Sequence, residues 1–180
     1  MGESDIAVRP ATTRDAAGIA RVHVDSWRFA YRGLLPQAVL DDLSVERRTE
    51  FWQHAITHPL PHALTLVAVR GDQVIGFCNC GPALSADTPD HIGEVAAIYV
   101  DPALIRQGVG RRLMDAALDH LAREGFTDAE LWVLEHNTIG RRFYEGYGWT
   151  RSGRTKVEAI HGASVTEVGY HLHIADRHPV

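Results

Sequence analysis

The stretch GEVAAIYV, residues 93–100, is apolar at almost every position. A strand with one face in water alternates, so a strand that is apolar on both faces has to sit inside a sheet covered on both sides. An Asp-Pro turn follows at 101–102, then Gly108 and Gly110, then GVGRRLMDAALDHLAREG. Val109, Leu113, Ala116, Ala117 and Leu121 fall on one face of that segment at helical period, and Gly125 ends it. TDAELWVLE reads as the next strand. Whatever else the chain builds is therefore arranged around one central βαβ unit.

The flanking segments place this unit in a wider sheet. DIAVRP is a short first strand. In TTRDAAGIARVHVDSWRFAY, Thr12 and Asp15 have capping-box spacing, and Ala16, Ile19, Ala20, His23, Trp27 and Tyr31 recur at helical period. RGLLP breaks that helix, and PQAVLDDLSVERRTEFWQHAI reads as one or two short helices. ALTLVAVR and QVIGFCNC are strands around Gly71-Asp72, a tight hairpin signal. Residues 81–93 form a loop rich in Pro, Asp and Gly. NTIGRRFYEGYG is a short helix, and WTRSGRTKVEAI with SVTEVGYHLHI forms a hairpin about His161-Gly162. The order β, α, α, β, β, β, α, β, α, β, β predicts a mixed, mostly antiparallel α/β sheet flanked by helices. With no repeat or long linker, residues 1–180 read as a single domain.

Composition excludes some functions. The chain has 180 residues, 45% of them hydrophobic, enough for one sizeable core. A formal net charge of −5 leaves no global basic footprint for nucleic acid. Cys78 and Cys80 alternate in one strand, cannot pair there, and are too few for structural zinc, so they read as reduced thiols. The histidines offer no metal site: Pro59 and Pro61 interrupt His54, His58 and His62, and His171 and His173 are only two ligands. The opening MGESDIAVRP lacks a signal-peptide pattern, and no apolar run reaches membrane-spanning length. The expectation is a cytoplasmic protein with no membrane partner.

The glycine loop of the central unit is where chemistry is readable. Gly108 and Gly110 stand at a helix start, where backbone N–H groups lack helical partners and the dipole is positive. Arg106, Arg111 and Arg112 add charge. Such a place seats phosphate, although a plain turn with surface arginines has the same appearance. The P-loop is excluded because no Gly-Lys pair occurs, and the dinucleotide fingerprint because Leu113 stands where its third glycine belongs. Further on, Asn137, Gly140 and Tyr144 share one face of the short helix. Asn137 suits its N-cap, Gly140 leaves space between two polar groups, and Phe143 and Tyr147 point toward the core.

AAIYVDPALIRQGVGRRLM followed by LWVLEHNTIGRRFYEGYGW resembles the GCN5-related N-acetyltransferases, and the likeness of element order extends over nearly the whole chain. SWRFAYRGLLP is similar to a bacterial subgroup of that family. The resemblance implies the acyl-CoA N-acyltransferase fold and acetyl-CoA as cosubstrate. It implies that backbone groups of Ile98, Tyr99 and Val100 pair with the pantetheine arm. Amides of Arg106, Gln107, Gly108, Val109, Gly110 and Arg111 would hold the pyrophosphate. Asn137 would contact the pantetheine arm, and Tyr144 would stand beside the thioester sulfur. The family usually has Arg or Gln where this chain has Ile105, and Gly where it has Arg106, which implies weaker coenzyme affinity.

The chemistry that follows is transfer of acetyl to a primary amine by direct attack in a ternary complex. An amine with a pKa of about 10.4 is almost wholly protonated at neutral pH, so a general base helps. Glu94 opens the central strand and shares alternation with Ile98 and Val100, which makes it the candidate. Tyr144, with an ordinary pKa of about 10, would give a proton to the leaving thiolate, whose pKa is about 8.5. A backbone N–H near Ile98 would take the developing oxyanion. Trp27 and Tyr31 are the expected wall for the acceptor, a small-molecule amine or a protein amino group. The last two strands could pair two copies as a homodimer. The alternative is a non-catalytic CoA-binding or interaction module on the same fold; a nucleotide-dependent transferase lacks its signatures.

Overall fold

The computed structural model describes residues 6–85, 87–160 and 162–175. The sheet strands are β1 (Ile6–Pro10), β2 (Leu64–Arg70), β3 (Gln73–Pro82), β4 (Ile92–Val100), β5 (Asp128–Leu134), β6 (Thr150–Ile160) and β7 (Ala163–His173). The helices are α1 (Ala16–Ala30), α2 (Gln37–Asp41), α3 (Val45–Thr57), α4 (Val109–Arg123) and α5 (Thr138–Tyr147). The strands lie in the order β1-β2-β3-β4-β5-β7-β6. Every neighbouring pair is antiparallel except β4 and β5. The apolar strand is therefore the middle one of seven, with the helix α4 carrying the chain across to its parallel neighbour.

Local chemistry fixes the elements. Thr12 precedes α1 and its one-turn 3-10 lead-in, and its backbone N–H donates to the Asp15 carboxylate at 2.7 Å. Gly71, at φ +58°, makes the turn between β2 and β3 in a conformation other residues rarely adopt. Ser44 caps α3 by accepting from the Arg47 N–H. The segment 36–57 forms two helices, and Ile56-Thr57 is followed by prolines that end the second. His161, at the tip of the last hairpin, lies outside the described residues.

Two apolar layers cover the sheet. On one face Leu113, Met114, Ala117 and Leu121 of α4 pack on Cys78, Cys80, Val95, Leu131 and Val133. On the other, Ile19 and Ala20 of α1 and Trp52 of α3 pack on Val67, Val74 and Phe77, and a further cluster joins Val24, Tyr31, Leu35 and Leu40 to Leu134. Both cysteines are buried and free, and Cys80 Sγ lies 3.8 Å from the Ala117 carbonyl under α4. Among the described residues no helix is long and apolar enough to cross a membrane.

Two expectations for β4 need correction. Gly93 and Val95 are buried, but Ala96 is exposed and Ile98 through Val100 are half-buried. The reason is that β5 follows β4 for only three registered pairs, Ile92 to Glu94 with Asp128 to Glu130, and then diverges. The far half of the central strand keeps β3 on one edge and loses its neighbour on the other. The second correction concerns alternation. Asn79 pairs with Ala97 and Cys80 with Val95, so Ala96 is an extra residue, a β-bulge. The bulge shifts the phase of the strand. Glu94, opposite Gly81, lies on the face of Tyr99 and Ala97, opposite to that of Ile98 and Val100.

Candidate active site

Where β4 and β5 part, a cavity of about 790 Å³ opens through the sheet. Its walls come from the far half of β4, the start of α4, the face of α5, the end of α1, and residues of β5 and β7. Asp101 N donates to Ile75 of β3 at 2.9 Å, so by strand alternation the backbone groups of Tyr99 face β3 while those of Ile98 and Val100 face the parted edge. The Val100 carbonyl there already accepts from the Ser26 hydroxyl at 2.9 Å. Of the three residues expected to offer a backbone edge, Ile98 and Val100 do, and Tyr99 contributes its side chain instead.

At one end of the cavity is the start of α4. Its first helical bond runs from Arg112 N to Gly108 O, leaving the N–H groups of Val109, Gly110 and Arg111 without intrahelical acceptors. Arg106, Gly108, Gly110 and Arg111 line the cavity. Gly108 has φ +80°, and Arg106 has φ +65°, the left-handed region that costs a side-chain-bearing residue about 1–2 kcal/mol. A Cβ on Gly110 would approach the Phe143 ring at 3.3 Å, so glycine there lets α5 come close. Three residues of this region direct their side chains away from the cavity, while the role expected of Gln107 and Val109 concerns their backbone amides. The Val109 side chain is buried in the core; Gln107 Oε1 accepts from Arg70 at 3.4 Å and is not on the cavity wall; Arg112 Nη1 donates to the Ile6 carbonyl on β1 at 3.1 Å. Their side chains are committed elsewhere, which leaves Arg106 and Arg111 as the charges at the seat.

Along α5, Asn137 is buried and its Oδ1 accepts from Gly140 N at 3.0 Å, the cap the sequence calls for. A Cβ on Gly140 would lie 3.0 Å from Asn137 Nδ2, so the glycine makes room for the Asn137 amide rather than an open groove. Asn137, Gly140 and Tyr144 all line the cavity, and Phe143, expected to serve the core, packs against it and lines the cavity too. Tyr144 is half-buried, with its ring 5.4 Å from Phe143 and 6.1 Å from Tyr170, and its hydroxyl has no hydrogen bond among the described residues. Burial, reinforced by the nearby Tyr99, pushes its pKa well above the ordinary phenol value. The match to a thiolate leaving group is therefore poorer than a free tyrosine would give.

The opposite half of the cavity is aromatic. Trp27 and Tyr31 both line it, edge to face at 5.0 Å, and the Tyr31 and Tyr99 hydroxyls are hydrogen-bonded at 3.0 Å. Tyr31 is at once core and wall. His23 stacks on Tyr99 at 5.4 Å, and its Nδ1 accepts from Trp52 Nε1 at 3.1 Å. Burial lowers its pKa to about 3, so it stays neutral. Glu94 is not on the cavity wall; its carboxylate accepts from Leu84 N at 3.4 Å. Burial raises its pKa, and Glu130 and Glu167 raise it further against the pull of Lys156. Among the wall residues that sequence reasoning missed are Trp132 on β5 and Glu167 on β7. Glu167 was legible as a polar position next to core residues of β7, whereas the uniformly apolar LWVL concealed which face Trp132 takes.

This geometry suits an anion at the α4 end, an extended chain along a free strand edge, and a polar group beside a protonated phenol. Comparison with known proteins bears on the family. The family model described as Acetyltransferase (GNAT) family matches residues 22–149. The uncharacterized N-acetyltransferase YuaI of Bacillus subtilis is 33% identical over 167 residues, covering 91% of each chain. The mycothiol acetyltransferase of Kocuria rhizophila is 34% identical over 134 residues, 73% of this chain and 42% of that longer protein. Among solved structures, yncA, a putative acetyltransferase from Salmonella typhimurium with its cofactor acetyl-CoA, superposes with a TM-score of 0.68 at 19% identity, covering 98% of this chain and 99% of that one. Seven strands parted at β4 and β5, the glycine loop at the start of α4 and the sequence match to 22–149 together establish that the chain belongs to the acetyltransferase (GNAT) family.

Proposed function

We propose that this N-acetyltransferase moves an acetyl group from acetyl-CoA to the primary amine of a small molecule, by direct attack in a ternary complex. The observation that carries this is the opening between β4 and β5, which runs from the anion seat of α4 to Tyr144. The residues present fit the cosubstrate. Amides at Val109 to Arg111, with the Arg106 and Arg111 side chains, suit a pyrophosphate. The backbone edge of Ile98 and Val100 and the Asn137 amide suit a chain of alternating amides. Acetyl-CoA, when bound, supplies an activated acyl group on a thiol leaving group.

The protein's own residues do the rest. Tyr144 keeps its proton at any ordinary pH and donates a hydrogen bond where thiolate charge develops. A backbone N–H of the free β4 edge, at Ile98, faces the developing oxyanion. Glu94, with its raised pKa and off the cavity wall, is the candidate to draw a proton from the amine through solvent. Neither thiol is available as a covalent relay: burial pushes the Cys80 thiol up to about 12 and raises that of Cys78 as well. A small-molecule acceptor is favoured by the enclosed aromatic half of the cavity and by the mycothiol acetyltransferase relative.

Calorimetric titration with acetyl-CoA, with ATP and NAD as controls, tests the reading; selective acetyl-CoA binding supports it and its absence overturns it. Thiol release with an amine panel separates an enzyme from a non-catalytic CoA-binding module. In that assay Tyr144→Phe should lower kcat by about 100-fold with acetyl-CoA affinity kept. Because the Glu94 pKa is raised, the rate should climb with pH as its carboxyl ionises, and Glu94→Gln should flatten that acid limb. An unchanged profile removes Glu94 from the role.

A further inference from the structure

The acceptor half of the cavity has a wall that the reaction as described leaves unused. Trp132 and Glu167 both line it. They come from adjacent strands, Glu167 opposite Leu134 and Trp132 opposite Gly169. Leu131, Val133 and Val168, which alternate with them, are in the core under α4 and α5, so Trp132 and Glu167 share the other face. Gly169 lets the indole lie flat on the sheet, since a Cβ there would stand 3.3 Å from its ring.

This wall already holds an ammonium. Lys156 Nζ of β6 lies 4.7 Å from the Trp132 ring centroid and 3.2 Å from Glu167 Oε2, while the Arg154 guanidinium, bound to Glu130, stands 5.1 Å from the same ring. An aromatic face joined to a carboxylate is the pairing that recognises a primary ammonium. Lys156 is loosely committed: its side chain is 37% exposed, on an edge strand that is exposed along most of its length, and Glu158 Oε1 lies 3.5 Å away as a second partner. Displacement would not leave it unpaired. The local charge also favours a guest. Glu130 is bound to Arg154 at 2.7 Å, but no cation lies within 4 Å of Glu94 among the described residues, so four carboxylates, with Glu158 and Glu167, stand against two cations.

We propose that Trp132 and Glu167 form an ammonium subsite, occupied by Lys156 in the free protein, that takes the second, non-reacting ammonium of a diamine acceptor. The proposal rests on the acetyl-transfer reading and names its acceptor class. A carboxylate partner stabilises the charged form of an amine, so the group bound at Glu167 stays protonated and cannot be the nucleophile. The acceptor that uses this subsite therefore carries two amino groups, one anchored here and one neutral near Tyr144.

The test is calorimetric titration of the protein, alone and saturated with CoA, with straight-chain three- to five-carbon diamines and with monoamines of equal length in which a methyl replaces one ammonium. At least one diamine should bind about tenfold tighter than its monoamine. Glu167→Gln should weaken the diamine at least several-fold, and the monoamine too because its one ammonium takes the same subsite, with acetyl-CoA affinity unchanged. Lys156→Met should tighten diamine binding several-fold by removing the resident ammonium. Equal affinity of diamine and monoamine in the wild type, unchanged diamine affinity in Glu167→Gln, or no gain in Lys156→Met overturns the subsite. Failure of the parent reading shows separately, as absence of acetyl-CoA binding, while a surviving diamine preference in the protein alone would still uphold the subsite.

Discussion

Asp15 draws together more of the chain than its position suggests. Its carboxylate accepts both Arg9 guanidinium nitrogens, at 2.8 and 2.9 Å, and the Thr12 N–H and hydroxyl. Arg9 and the Thr12 bonds hold its pKa at about 2, below the ordinary 3.8, against the cost of burial. A carboxylate depressed on folding contributes stability above its unfolded pKa and loses it as pH falls through the folded value. The contribution, on the order of 2 kcal/mol, should be full above about pH 4 and gone near pH 2. Urea unfolding of Asp15→Asn against wild type should show a gap that is constant at neutral pH and narrows through that window; a gap independent of pH would mean lost packing instead. Gly108 gives a second residue-scale expectation. At φ +80° with no atom within 4 Å of a built Cβ, Gly108→Ala should cost about 1 kcal/mol through backbone strain alone, seen as a lower denaturation midpoint. The Thr12–Asp15 spacing was legible in sequence because capping is local. The Arg9 contribution was not, because that side chain reaches α1 from a different element.

Among the elements, β4 decides the site, and its sequence conceals how. EVAAIYV is apolar on both faces, which correctly marks the strand as central. The same uniformity hides the bulge at Ala96, since no polar residue records the phase, and Glu94 was consequently assigned to the face of Ile98. Element order, the Gly71 turn, the Asn137 cap and the glycine loop were readable because each rests on period or on a conformational demand of one residue. The parting of β4 from β5, and the side chains that line it from β5 and β7, depend on pairing between distant segments and leave no periodic trace. The bulge has a testable consequence. Val95 and Ala97 already lie on opposite faces, so removing Ala96 keeps every other side chain of β4 on its present face while straightening the strand. The Ala96 deletion should fold, with a stability change below about 2 kcal/mol, and should bind acetyl-CoA at least tenfold more weakly because the free edge is realigned. Unchanged acetyl-CoA affinity in the folded deletion would show that the bulge does not shape the edge.

Across the whole molecule, the cavity is closed by segments far apart in the chain: the end of α1, the far half of β4, the start of α4, α5, and the β5–β7 pair. The cluster of Val24, Tyr31, Leu35 and Leu40 with Leu134 ties the α1–α2 region to the opposite side of the sheet, with Ile160 and Val165 of the last hairpin packed against it. A ligand lying in this opening touches both halves at once, whereas β1 and β2 stand at the far edge of the sheet. Binding that favours the folded state by 100-fold ligand excess over Kd contributes about 2.7 kcal/mol, which for a chain of 180 residues is a rise in Tm of roughly 5–10 °C. Amide hydrogen exchange should divide the molecule accordingly. With acetyl-CoA bound, protection should increase at 98–112, in the first turns of α5 and at the end of α1, with β1 and β2 unchanged apart from their share of the global stabilisation. Arg111→Ala, which removes one charge from the seat, should reduce both the Tm rise and its sensitivity to salt. Protection confined to 106–112 would instead mean that the ligand rests on the anion seat alone and does not enter the opening between β4 and β5.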